Sequence, residues 1–466
     1  MERYETASSS PRGAGLLVLV TLVTALGGFL FGYDTAVING AIQYLKVHFE
    51  LTSAQEGLAG ASAILGCIPG AMFAGFFSDR FGRRKVLFAC AVLYAVSGLL
   101  SAIPRTFFEF LLARGICGLG VGASSMICPV YIAELAPAEK RGRLGSLFQM
   151  GIVVGIFLTL FINAQIRSLG DESWNSQYGW RWMLAAEIVP ALFLIAFLFF
   201  VPESPRWLLQ AEREDEARAI LVAVGGPKHA EGEIAAVREV LKQEEGGFLE
   251  LFGRGLRQPL VVAVLLMAVS QFSGINAIIY YSTKIFTTAG VGVEDAFTRS
   301  AIIGIVNVLF TVVALVLVDR AGRRPLLIIG LTVQVVALAA TGWMFHTGQT
   351  GLLLLLMVLV YIAAFAMALG PIPWIVCSEI FPTRIRGRAM SLATFVIWTS
   401  CYIVAQTFPM LNDSPVIGPA KTFWIYGGFT LFGLLFVFMR LPETKGRTLE
   451  EIEASWSNPP HRKPSA

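Results

Sequence analysis

Apolar runs long enough to cross a lipid bilayer divide this chain of 466 residues, and no other feature limits its fold as much. A hydrocarbon layer about 30 Å thick requires about 20 apolar residues of helix at about 1.5 Å per residue. Such runs occupy 15–38, 57–77, 86–104, 107–131, 144–165 and 180–201. After a polar stretch they resume at 259–287, 299–318, 325–345, 352–377, 388–411 and 420–440. Lipid offers no water to backbone N–H and C=O groups, so each run must be a helix. The expected fold is all-α, with twelve transmembrane helices in two six-helix bundles at 15–201 and 259–441. Residues 1–14 and 442–466 read as short tails. The loop 202–258 is rich in Glu, Arg, Lys and Ala, and is expected to form short amphipathic helices.

Composition agrees with a lipid-facing surface. Hydrophobic residues make up 55% of the chain and charged residues only 15%, against roughly 25% in soluble domains. The first run lacks a cleavage site and carries Asp34, so it reads as a retained helix. The net charge of +4 is small, and no basic arm is interleaved with aromatics, so nucleic acid is not an expected partner. The cysteines Cys67, Cys90, Cys117, Cys128, Cys377 and Cys401 all fall inside apolar runs, and they read as buried apolar side chains. No nucleophile–base pair, phosphate loop or metal-ligand spacing appears, and the histidines are scattered. Neither an enzyme activity nor a metal or cofactor is expected.

Basic residues set the expected orientation. The loops after helices 2, 4, 8 and 10 hold Arg80, Arg83, Arg84, Lys85, Lys140, Arg141, Arg143, Arg320, Arg323, Arg324, Arg384, Arg386 and Arg388. The alternating loops hold fewer: Lys46, Arg105, Arg167, Arg181, Lys284, Arg299 and Lys421. The first set is therefore expected in the cytoplasm, together with the central loop and both termini.

The two halves echo each other. SDRFGRRK (78–85) recurs as VDRAGRRP (318–325), AELAPAEKRGRLGSL (133–147) as SEIFPTRIRGRAMSL (378–392), and VPESPRWL (201–208) as LPETKGRTL (441–449). Three motifs keep their order and nearly the same displacement. Repeated six-helix halves are an architecture of secondary transporters, in which the substrate binds near mid-membrane between the halves.

GGFLFGYDTAVING (27–40), the two DRxGRR loops, PESPRW (202–207), QFSGINAIIYYS (271–282), GPIPWIVCSEIFP (370–382) and PETKGRTLEEIE (442–453) form an ordered set. In these motifs the chain resembles the sugar porter family of the major facilitator superfamily over essentially its whole length. The resemblance extends to bacterial glucose– and xylose–proton symporters and to facilitative glucose carriers. It implies monosaccharide transport by alternating access, proton-linked or facilitative, by a chain working as a monomer.

Ionisable residues inside the spans are costly and need a partner or a task. Asp34 in helix 1, Arg114 in helix 4 and Glu187 in helix 6 all belong to the first half. An acid that takes up and releases a proton beside a guanidinium can couple proton movement to a change of shape. The alternative is a structural ion pair that locks helices 1 and 4. The resemblance favours coupling, because proton-coupled sugar porters carry Asp and Arg at the places of Asp34 and Arg114 and share Glu187.

A pyranose presents hydroxyls that donate and accept, and C–H faces that pack on rings. The candidate contacts are Gln149, Gln271, Asn276, Asn307 and Trp374, which by resemblance stand where the family contacts sugar. Phe31, Tyr280 and Trp398 are expected to line the cavity. Gly274 interrupts helix 7, and Gly370, Pro371 and Pro373 interrupt helix 10, as binding sites in repeated transporters require. Each amide alone also reads as interhelical glue. Ile156, on the face of Gln149, is apolar as in the glucose carriers. The chain departs from the family pattern at Ser270, Ala366, Ile397 and Cys401, where hydrogen-bonding groups are lost.

A third group comprises Arg83, Arg84, Glu134, Arg141, Arg323, Arg324, Glu379 and Arg386. By resemblance these form salt bridges that close a cytoplasmic gate; simple anchoring by positive charge is the alternative. Gly115, Gly118, Gly120 and Gly122 are expected to let helix 4 pack closely. A glucose–proton symporter is the leading reading, and an uncoupled carrier and a non-transporting sugar sensor are the others.

Overall fold

The computed structural model describes residues 11–242, 248–253, 256–349, 351–381, 383–443 and 445. Twelve helices among them are long and apolar enough to span a membrane. They are α1 (Gly13–His48), α2 (Ser53–Phe81), α3 (Arg83–Ala102), α4 (Phe107–Leu135), α5 (Gly142–Arg167) and α6 (Glu172–Leu198). The remainder are α7 (Arg257–Thr288), α8 (Val293–Val318), α9 (Arg323–Thr347), α10 (Leu352–Glu379), α11 (Ile385–Asn412) and α12 (Gly418–Arg440). Several begin before the apolar run does, as α2, α6 and α8 show. Backbone hydrogen bonding rather than hydropathy ends a helix, so polar first turns extend it past the lipid.

The chain divides into two compact units, Met1–Glu50 with Ala61–Glu244, and Leu51–Gly60 with Glu245–Ala466. The first turns of α2 thus group with the second unit. In the first unit α1 packs on α5, and α3 on α4 and α6. In the second unit α7 packs on α11, and α9 on α10 and α12. The internal sequence repeat is therefore a repeat of packing. Large apolar side chains such as Phe76, Phe108, Leu192, Phe193, Phe432 and Phe438 point outward, as lipid contact demands.

Close backbone approach explains some of the glycines in α4. A Cβ on Gly118 would fall 1.8 Å from the Ala63 carbonyl oxygen, and one on Gly122 2.2 Å from that of Cys67, both on α2. Gly115 departs from expectation, because nothing lies within 4 Å of where its Cβ would be.

Three short helices follow α6: Pro205–Gln210, Glu214–Gly225 and Pro227–Lys242. Ser204 caps the first, its Oγ accepting from Trp207 N at 3.3 Å, with Pro205 at the first helical position. Leu221, Ala230 and Ile234 form a small apolar core between the second and third.

Candidate functional site

The first site is a cluster of ionisable groups inside the first unit. Asp34 on α1 is 4% exposed, Arg114 on α4 is 2% exposed and Glu187 on α6 is 1% exposed. Glu187 sits where α6 breaks between Trp180–Ala185 and Ile188–Leu198. Arg114 donates from Nη1 to Asp34 Oδ1, and from Nη2 to the Asp34 backbone carbonyl at 3.3 Å. The Cys117 thiol, one helical turn beyond Arg114, lies 3.1 Å from Asp34 Oδ1 and 3.5 Å from Glu187 Oε1. Tyr33 donates to the Met183 carbonyl at 3.4 Å, tying α1 to α6 beside the cluster. Two carboxyls with one guanidinium balance their charge when one carboxyl holds a proton. In a medium this poor in water, that is the low-energy arrangement.

Reading Cys117 as an apolar side chain missed its contacts. It is buried, but it touches both acids, and nothing in a one-dimensional apolar run distinguishes it from Cys90 or Cys128.

Neutral polar groups gather in the second unit. α7 is broken at Gly274, where φ is +92°, a left-handed conformation in which glycine avoids the Cβ clash. Gln271 and Asn276 flank the break. Asn276 Nδ2 donates to Gln271 Oε1 and to Cys401 Sγ on α11, the latter at 3.0 Å. Cys401 is therefore not a lost hydrogen-bonding group, because its sulfur accepts from an amide. Ser270 donates to the Met267 carbonyl at 2.7 Å and receives Gln271 Nε2 at 3.4 Å. Tyr361 on α10 donates to the Ser273 carbonyl at 2.9 Å and pins the broken segment. Tyr280, Trp398 and Asn307 are buried, and Trp374 is half-buried just beyond the break of α10 after Met367. In the first unit Ile156 is buried, while Phe31 and Gln149 are half-buried on α1 and α5.

The third group forms a clamp that occurs once in each unit. Arg83, at the start of α3, reaches both oxygens of Glu134 at the end of α4 and donates to Asp79 at 3.1 Å. Ser204 Oγ also donates to Glu134. Glu203 Oε1 accepts the backbone N–H of Arg83 at 2.8 Å, Arg84 at 3.1 Å and Ser204 at 2.9 Å. A carboxylate from a remote segment thus caps α3. In the second unit Arg323 donates to Glu379 at 2.9 Å. Glu443 accepts from Arg323 N and Arg324 N, each at 3.0 Å. Gly82 and Gly322 have φ of +95° and +91°, and a Cβ there would meet Glu203 Oε2 at 2.2 Å or Glu443 Oε2 at 2.8 Å. The three repeated motifs meet at one place in each unit. Arg386 donates to the Phe381 carbonyl at 3.4 Å. Arg84 and Arg324 turn to the helix-end carbonyls of Leu198 and Phe438, at 2.9 and 2.8 Å. The side chain of Arg141 lies outside the described residues. Glu203 and Glu443 were legible only as repeat members, since their role needs the folded contact.

A further polar group went unrecognised in the sequence. Lys284 on α7 donates to Glu56 at 2.7 Å and to Asp413 at 2.9 Å, and Ser53 donates to Asp413 at 2.7 Å. All four belong to the second unit. Each sits near the edge of an apolar run, where single charges are ordinary.

Residues 20–456 match the family described as Sugar (and other) transporter. The arabinose-proton symporter of Bacillus subtilis (strain 168) is 41% identical over 444 residues, 95% of each chain. The D-xylose-proton symporter of Escherichia coli (strain K12) is 40% identical over 469 residues, 94% of this chain and 95% of that one. A solved structure of the proton:xylose symporter XylE bound to 6-bromo-6-deoxy-D-glucose has a TM-score of 0.81 at 39% identity. It covers 95% of this chain and 100% of that one. Likeness of this degree, along nearly all of both chains, places the protein in the sugar (and other) transporter family of the major facilitator superfamily.

Proposed function

We propose that this multi-pass membrane protein is a monosaccharide–proton symporter working by alternating access, with D-glucose as its substrate. The observation that carries the reading is the Asp34–Arg114 contact, buried beside Glu187 in a family of sugar transporters. Protonation of Asp34 weakens its hold on Arg114 and frees α1 from α4, and deprotonation restores the pair. One proton crossing about 100 mV supplies about 2.3 kcal/mol. At about 1.4 kcal/mol per decade this sustains a sugar gradient of about 50-fold.

Sugar contacts are assigned to Gln149, Gln271, Asn276, Asn307 and Trp374, with Phe31, Ile156, Tyr280 and Trp398 lining the cavity. A hexose reading is supported by the apolar Ile156 and by the glucose derivative bound to the related symporter. The arabinose- and D-xylose-proton symporters among the relatives favour a pentose as the second reading. The arginine clamps are assigned to the cytoplasmic ends of the helices, with both termini on that side, in a plasma membrane or a bacterial inner membrane. Arg83, Arg84, Glu134, Arg141, Arg323, Arg324, Glu379 and Arg386 are assigned to the gate. The bundles 15–201 and 259–441 and the loop 202–258 are the working divisions, and the monomer is the working unit.

Counterflow in proteoliposomes tests the assignment. Labelled D-glucose is expected to exchange, and D-xylose, L-arabinose and D-galactose are offered as competitors. An inwardly directed proton gradient is expected to drive accumulation that a protonophore abolishes. Equilibration without accumulation would mark an uncoupled carrier. Binding without counterflow would mark a sensor, and preference for a pentose would replace glucose.

A further inference from the structure

Cys117 is the one group that touches both acids of the first-unit cluster among the contacts described above. Its sulfur is 3.1 Å from Asp34 Oδ1 and 3.5 Å from Glu187 Oε1, and the side chain is 0% exposed. A thiol has one proton to give and lone pairs with which to accept. Asp34 engaged by Arg114 is an acceptor, so the thiol proton points to Asp34. Glu187, at the same sulfur, then makes a favourable contact only as a donor, which requires its carboxyl to be protonated. Charge balance with Arg114 asks for the same single proton. The arrangement reads Glu187–OH to Cys117–SH to Asp34 carboxylate.

We propose that Cys117 is a proton-positioning residue that relays the coupling proton between Glu187 and Asp34. This rests on the symport reading above. In the step, the O–H bond of Glu187 breaks as an S–H bond forms, while the original S–H bond breaks and an O–H bond forms on Asp34. Glu187 ends as a carboxylate, Asp34 as a neutral acid, and the thiol is restored. No charge is gained or lost by the cluster, so the transfer avoids placing a new ion in the membrane interior. Among the described residues, the titratable groups around it are few. Arg114 stands on the same helix, Asp34 and Tyr33 on α1, Glu187 on α6, and Tyr94 and Cys90 on α3. Tyr94 is committed to Ser124 at 2.8 Å, and Tyr33 to the Met183 carbonyl. That leaves Cys117 as the bridge between the acids.

Cys117→Ala, Cys117→Ser and Asp34→Asn are compared in proteoliposomes for counterflow and for proton-driven accumulation across a range of pH. Cys117→Ala is expected to keep counterflow, lose roughly tenfold or more in the rate of proton-driven uptake, and shift its pH profile. Cys117→Ser, which keeps a donor and an acceptor, is expected to recover most of the rate with a profile of its own. Wild-type rate and profile in Cys117→Ala would overturn the relay. So would a serine variant no better than alanine, which would mean that the sulfur only fills space. Should alanine cost counterflow as well, the serine variant decides the matter alone. Asp34→Asn separates the two levels. If it loses accumulation while Cys117→Ala does not, only the relay fails. If it accumulates sugar undiminished, the coupling reading fails and takes the relay with it.

Discussion

Arg83 grips both oxygens of Glu134, each at 3.0 Å, and the pair is almost wholly enclosed, with side chains 6% and 8% exposed. In the equivalent pair of the second unit, Arg323 donates to Glu379 at 2.9 Å, and the side chains are 13% and 26% exposed. Breaking a buried pair from one side leaves an uncompensated charge. Arg83→Ala is therefore expected to destabilise the protein by about 3 kcal/mol. Arg323→Ala, whose partner still reaches water, is expected to lose about 1–2 kcal/mol. Melting temperatures in one detergent check the order. Arg83→Lys keeps the charge without the two-pronged geometry and should fall between wild type and alanine. Equal losses at the two sites would contradict the argument from enclosure.

Asp34→Asn removes the charge that Arg114 holds without changing the size of the side chain. Sugar counterflow is expected to persist, while the accumulation ratio falls from as much as about 50-fold to near unity. Loss of both activities together would instead support a purely structural pair.

Asn276 spans the break in α7 by donating to Gln271, and it also reaches α11 by donating to Cys401. Asn276→Ala is expected to raise the half-saturation concentration for sugar roughly tenfold, with a smaller effect on melting temperature. An amide serving only as interhelical glue would give the opposite pattern. Titration of counterflow alongside thermal melting distinguishes them.

Asp413 provides a dependence on pH. Burial opposes its ionisation, but hydrogen bonds from Lys284, Asn412 and Ser53 outweigh this and lower its pKa from 3.8 to about 2. A carboxyl with a lower pKa in the folded than in the unfolded chain stabilises the fold above the unfolded value. That contribution is lost as pH falls from about 3.8 to about 2. The difference in melting temperature between wild type and Asp413→Asn should stay constant from about pH 7 to about pH 5 and close below about pH 4. A difference that stays constant down to about pH 2 would refute the assignment.

The fold is legible in the sequence because lipid enforces it. Helix number and the repeat follow from the lengths of the apolar runs and three motifs. Asp34, Arg114 and Glu187 stand out because charge is conspicuous in an apolar run, and the structure brings all three to one place. What escapes is chemistry that looks ordinary in one dimension. Cys117 reads as another small apolar residue until α1 and α6 bring their acids to its sulfur. Glu56, Lys284 and Asp413 lie where helices enter and leave the apolar layer, and only the packing of α7 and α11 against the start of α2 brings them together. Ser270 and Cys401 read as lost hydrogen-bonding groups, yet the hydroxyl accepts from Gln271 and the sulfur from Asn276.

Glu203 has a mechanical consequence. One of its oxygens closes amides from the first turn of α3 and from the segment after α6, stretches far apart in the sequence. Neither stretch can fray without releasing the other, so the two open as a single cooperative piece. Slow solvent exchange at Arg83, Arg84 and Ser204 is then governed by one opening event, and their protection rises and falls together.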